Sequence, residues 1–148
     1  MRPKRIINKQ LGELLLDRGV INQAQLEKAL SIQQEKGGLL GMILVGLGFA
    51  KEEDISISLT AQYGFPYLPL GNYKVSPEVA AIIPGRVAKK YLLVPIDRIG
   101  NDLTLAMFNP LDTRAIEDVE LLSGCSVQAF VSTSSGIKRA IEKYYKAE

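Results

Sequence analysis

Most of the side chains that could do chemistry in this sequence are ruled out by type before spacing is considered. Its 148 residues include no histidine, which removes Ser-His-Asp and Cys-His catalysis together with histidine-bound zinc. The phosphate-cradling loop GxxxxGK followed by Ser or Thr is absent as well, because the glycine-rich stretch GGLLGMILVGLG contains no lysine. Cys125 has no second cysteine to pair with and reads as a small buried residue at a strand start. Asn109-Pro110-Leu111-Asp112 reads as a strand-to-helix turn with a capping aspartate. Glu117, Asp118 and Glu120 spread around a helix instead of converging on a metal. With no apparent general base near neutrality, the chain is not expected to be an enzyme. What remains is a Leu-Gly pair at Leu11-Gly12 and again at Leu40-Gly41. A glycine costs roughly 1 kcal/mol in a helix relative to alanine, so a glycine at an expected helix start signals a close approach to the backbone. Either another helix or a ligand could make that approach.

The pairs belong to a duplication. A shift of 29 residues superposes Leu11 on Leu40, Gly12 on Gly41, Leu15 on Leu44, Gly19 on Gly48, Leu30 on Leu59 and Gln33 on Gln62. Leu14 with Ile43, Leu16 with Val45, Val20 with Phe49 and Leu26 with Ile55 add conservative matches. Two 24-residue units result, 10–33 and 39–62, separated by QEKGG. Each reads as helix, turn, helix. In the first, Gly19 supplies the left-handed residue after one helix, and Asn22 with Gln25 forms a capping box for the next. In the second, Lys51 is a poor cap, but Glu52, Glu53 and Asp54 fall in a first turn where the helix dipole favours acid. Gly64 and Pro66 close it.

The second half changes character. Ser76 caps a short helix with Pro77 at its first position, Pro84 breaks the run, and GRVAKKY forms another helical piece. LLVPIDRIGNDLTLAMF reads as a hairpin turning at Gly100-Asn101, both able to take positive φ. Asp112 caps a helix over 113–123, residues 126–132 form a strand and 134–146 a last helix. The expected fold is therefore α+β: a tandem helical-hairpin repeat (1–64), a linker (65–75), and a small α/β sandwich with helices packed on a short sheet (76–148).

At 47% hydrophobic and 23% charged, the composition fits a soluble globular chain. Its longest apolar run, 39–50, is interrupted by glycines and falls short of the roughly 20 residues a membrane span takes. Of 18 basic residues, Arg2, Lys4, Arg5 and Lys9 stand in the first ten, where no acid balances them. The positive excess thus sits in an N-terminal arm, and no basic face interleaved with aromatics suggests nucleic acid. A lone cysteine and the absence of a secretory signal suit the cytoplasm.

The tandem units, with their Leu-Gly starts, paired aliphatics and closing glutamines, resemble the MshEN domain, the N-terminal region of type II secretion and type IV pilus assembly ATPases. PYLPL at 66–70, IIPGRVAKKYLLVPI at 82–96, LTLAMFNPLD at 103–112 and IKRAIEKYY at 137–145 extend the resemblance over nearly the whole chain. It implies a regulatory module without tightly bound cofactor that takes cyclic-di-GMP across its two units. Carried over position by position, the contact set is Leu11, Gly12, Leu26, Leu30 and Gln33 with Leu40, Gly41, Ile55, Leu59 and Gln62. Gln10 stands where the family pattern favours arginine, and glutamine cannot supply the same charged fork. The implied partners are an ATPase motor domain, in cis or in trans, and an inner-membrane platform protein, which would bring the chain to the inner face of that membrane. Two readings follow: a cyclic-di-GMP receptor, or a docking module that has kept the scaffold and lost the ligand.

Overall fold

A computed structural model describes residues 4–145, with side chains from Gln10 onward apart from Asn72. The basic arm expected at Arg2, Lys4, Arg5 and Lys9 lies outside the described side chains. Four helices come first: α1 (Lys4–Asp17), α2 (Gln23–Lys36), α3 (Leu40–Gly46) and α4 (Glu52–Tyr63). A 3₁₀ turn at Leu70–Asn72 leads to α5 (Pro77–Ala80), α6 (Gly85–Tyr91), β1 (Leu93–Ile99), β2 (Asp102–Met107), α7 (Thr113–Ser123), β3 (Ser126–Val131) and α8 (Ser134–Tyr144). The class is α+β, as expected.

The duplication is visible in individual hydrogen bonds. After α1, Gly19 N–H donates to Leu16 O at 3.0 Å and Val20 N–H to Leu15 O at 2.9 Å. After α3, 29 positions on, Gly48 N–H donates to Val45 O and Phe49 N–H to Leu44 O, both at 3.0 Å. Gly19 and Gly48 take φ of 73° and 77°, the left-handed conformation that lets each chain reverse without a Cβ penalty. At the start of α2, Asn22 Oδ1 accepts from Gln25 N–H while Gln25 Oε1 accepts from Asn22 N–H, at 2.8 and 2.9 Å. In α4 no side chain caps Lys51, and Glu52, Glu53 and Asp54 fill the first turn.

The sheet has the order β1-β2-β3, with β1 antiparallel to β2 and β2 parallel to β3 through α7. Pro95 sits on the outer strand β1 beside a register shift between Pro95 and Asp97, a position where the missing N–H does least harm. At the β1–β2 turn only Gly100 takes a positive φ, 61°. Asn101, expected to do the same, does not, because one left-handed residue at the first turn position suffices to reverse a two-residue hairpin. Asp112 accepts from Ala115 N–H and caps α7 as expected. Residues 66–68 run along β3: Leu68 N–H donates to Val131 O and Val131 N–H to Pro66 O, both at 2.9 Å.

One buried cluster contains leucines of both units and the sheet: Leu11, Leu15, Leu40, Leu44, Ile55 and Leu59 share it with Leu103, Leu105, Met107 and Phe108. The helical half and the α+β half therefore share a core, which fixes how the Leu-Gly pairs are presented.

Candidate functional site

Gly12 does not start a helix. It lies in the interior of α1, which begins at Lys4, whereas its counterpart Gly41 is the second residue of α3. The helix start expected at Gly12 is thus absent, and its backbone N–H is not open to a ligand, because a residue eight places into a helix gives its N–H to the intrahelical ladder. The asymmetry arises because copy one has further helix ahead of its Leu-Gly pair, where copy two has the end of α2 and its spacer.

The glycines make room for side chains. A Cβ on Gly12 would lie 2.7 Å from Leu26 Cδ1 and 3.5 Å from Leu40 Cδ2. A Cβ on Gly41 would lie 2.5 Å from Phe108 Cε2 and 3.4 Å from Leu11 Cδ2. Leu40 of the second unit therefore sits on Gly12 of the first, and Leu11 of the first on Gly41 of the second. This exchange of equivalent contacts is what a local two-fold between the copies produces. The third contact breaks it: Leu26, from the same unit, fills the face of Gly12, but the corresponding Ile55 is not among the nearest neighbours of Gly41, where Phe108 of the α+β half arrives instead.

The remaining members of the set divide by exposure. Leu11, Leu26, Leu40, Ile55 and Leu59 are at most 4% exposed. Leu30 and Gln33 are half-buried, and Gln10 and Gln62 are exposed. Gln33 Nε2 donates to Gly38 O at 2.9 Å, tying the end of α2 to the spacer. The structure thus brings Leu11, Gly12, Leu26, Leu40 and Gly41 into one packed group that includes none of the glutamines among the nearest neighbours of its glycines.

Two features outside the set join the halves. Glu52 accepts from Ser134 Oγ at 2.9 Å and Ser135 N–H at 2.8 Å, at the N-terminus of α8. Burial pushes its carboxyl pKa up, but the Ser135 amide, the Ser134 and Ser135 hydroxyls and the Arg139 charge outweigh that and hold it below its ordinary value. Phe108, 1% exposed, donates its N–H to Leu92 O at 3.1 Å and turns its ring onto Gly41. Neither role was legible from spacing: Glu52 read as a first-turn acid, and Phe108 as the end of an apolar strand.

The acids of α7 stay apart, and two of the three are engaged with different partners. Asp118 accepts from the Tyr91 hydroxyl, Glu120 accepts from Val127 N–H at 3.0 Å, and Glu117 is exposed. Burial first, and then the bond to Asp118 and its charge, push the Tyr91 hydroxyl up to about 12. Cys125 is buried. No helix among the described residues is long and apolar enough to cross a membrane.

A family model, the MshEN domain, matches residues 63–148. The chain belongs to the MshEN family. The matched span begins at the last residue of α4 and runs on through the sheet, so the tandem units precede it. The MshEN likeness of the whole chain comes from longer alignments. The chain is 37% identical over 136 residues to the type IV pilus assembly ATPase PilB of Myxococcus xanthus, covering 92% of this chain but 24% of that protein. It thus spans about a quarter of the relative's length. The structure of the N-terminal domain of XpsE matches with a TM-score of 0.77 at 26% identity, over 97% of this chain and 98% of that one. The structure of MshE with cdg, cyclic-di-GMP, matches with a TM-score of 0.67 at 29% identity, over 91% and 98%. Both likenesses reach across the tandem units as well as the span that the family model matches.

Proposed function

We propose that this chain is the non-catalytic regulatory region of a type IV pilus or type II secretion ATPase and binds cyclic-di-GMP across its two tandem units. The observation that carries this reading is the reciprocal seating of Leu11 on Gly41 and Leu40 on Gly12: a two-fold ligand suits a two-fold arrangement of equivalent groups. The likeness to MshE with cdg supports the choice of ligand. The contacts we assign are Leu11, Gly12, Leu26, Leu30 and Gln33 with Leu40, Gly41, Ile55, Leu59 and Gln62: half-buried Leu30 offers aliphatic surface to a guanine face, the glutamines offer amide donors and acceptors, and the buried aliphatics shape the site from beneath. We assign the helical part to residues 1–64 and the α+β part to 76–148, joined through 65–75. An ATPase motor is its partner, and a cytoplasmic position at the inner membrane follows from that partner.

A specific observation favours a second reading. Gln10 is exposed and uncharged where the family pattern favours arginine, and five of the assigned aliphatics are already buried in the shared core. A chain that had lost the ligand would keep such a scaffold to dock an inner-membrane platform protein. Calorimetric titration with cyclic-di-GMP separates the two. Binding by the natural chain that is lost in Leu30→Ala plus Leu59→Ala supports the receptor. No heat from the natural chain, with heat restored by Gln10→Arg, identifies a scaffold that has lost its ligand. No heat from any variant moves the assignment to docking.

A further inference from the structure

The two Leu-Gly notches are equivalent in sequence but not in what fills them. Gly12 is covered from within the helical half, by Leu26 and Leu40, whereas Gly41 is covered by the Phe108 ring, whose Cε2 and Cζ would lie 2.5 and 3.0 Å from an added Cβ. The ring comes from the segment just after β2, and its backbone is pinned to Leu92 O. The same second unit also makes the Glu52 bonds to Ser134 and Ser135 at the start of α8. Copy two is thus fastened to the α+β half at two points, one apolar and one polar. At the first of these points, the side-chain-free face of Gly41 is already taken.

We propose that Phe108 is a positioning residue that couples the second motif to the α+β half: its ring and a ligand at the face of Gly41 exclude each other. The proposal rests on the cyclic-di-GMP reading above. A ligand that approaches Gly41 must move the ring, and a ring moved off α3 withdraws the apolar fastening between the halves. The linkage is reciprocal: whatever unseats Phe108 favours the ligand, and the ligand favours the unseated arrangement. Because the three atoms nearest a Cβ on Gly12 all belong to the helical half, it is the second unit that reports occupancy to the α+β half.

Two readouts on the whole chain test this, calorimetry with cyclic-di-GMP and hydrogen exchange of the Ser135 amide, which is protected by Glu52. In the natural chain the ligand should speed exchange at Ser135. Phe108→Leu, which keeps an apolar side chain in the core but cannot present a ring edge, should tighten binding by about five-fold or more and exchange quickly with or without ligand. Phe108→Ala should do the same where it folds. Slower exchange at Ser135 on ligand addition, or weaker binding by Phe108→Leu, would overturn the coupling. A natural chain that binds no cyclic-di-GMP would defeat the receptor reading, and the fastening is then read without ligand. Gly41→Ala pushes its new Cβ into the ring, so it should speed Ser135 exchange in the natural background and change nothing in Phe108→Leu. Equal acceleration in both backgrounds, or none in either, would show that the ring does not fasten the halves.

Discussion

At the scale of single residues, what a glycine does here depends on its neighbours. Gly12 and Gly46 both stand in helices, yet a Cβ on Gly12 meets Leu26 at 2.7 Å while one on Gly46 meets nothing within 4 Å. Gly12→Ala gains about 1 kcal/mol of helix propensity but drives a methyl into packed leucine, a change that costs about 1–3 kcal/mol. It should lower stability by roughly 1 kcal/mol net of those two terms. Gly46→Ala has only the gain and should raise stability by about 0.5–1 kcal/mol, read from urea midpoints. A result in which Gly12→Ala stabilises as much as Gly46→Ala would mean that Leu26 moves aside without loss, and that the first notch is not a packing requirement.

At the scale of elements, the second helix of each unit starts differently, and each start suits its place. Helix α2 relies on its own side chains, since Asn22 and Gln25 satisfy each other's amides. Asn22→Ala removes the cap and leaves Gln25 N–H without its acceptor, and should destabilise by about 1 kcal/mol, with a denaturant slope unchanged from the natural chain. Helix α4 lacks a side-chain cap, and its first acid is turned outward to cap α8. Its buried Ser56 and Ser58 donate their hydroxyls to the carbonyls of Glu52 and Asp54, which uses the one donor each side chain has.

At the scale of the whole molecule, the contact between halves titrates. Glu52 has a folded-state pKa below its ordinary value of 4.5, so the fold favours its charged form and the ionised carboxylate stabilises the folded chain. That contribution is complete above the unfolded value and is lost as pH falls through the folded one. Urea midpoints followed from about pH 7 down to about pH 3 should therefore fall more for the natural chain than for Glu52→Gln, which cannot titrate. Parallel curves would show that the carboxylate holds α8 no better than a neutral amide does. Because Glu52 belongs to copy two and Ser134 to the α+β half, the same measurement reads how firmly the halves are joined.

Much was readable from the residues in order, because the determining interactions are local. The capping box at Asn22, the left-handed turns at Gly19 and Gly48, the Asp112 cap and the Gly100 hairpin each involve groups a few positions apart, so residue type and spacing specify them. The duplication was legible for the same reason, and with it the correspondence of Leu11 with Leu40 and Gly12 with Gly41. What fills the notches was not. Phe108 and Gly41, like Glu52 and Ser134, meet only after the chain has folded over its sheet, and no local pattern distinguishes the leucine that covers one glycine from the aromatic ring that covers the other. Equivalent motifs acquire different neighbours because burial of the shared core brings the α+β half against one unit's glycine and leaves the other's to leucines of the helical half.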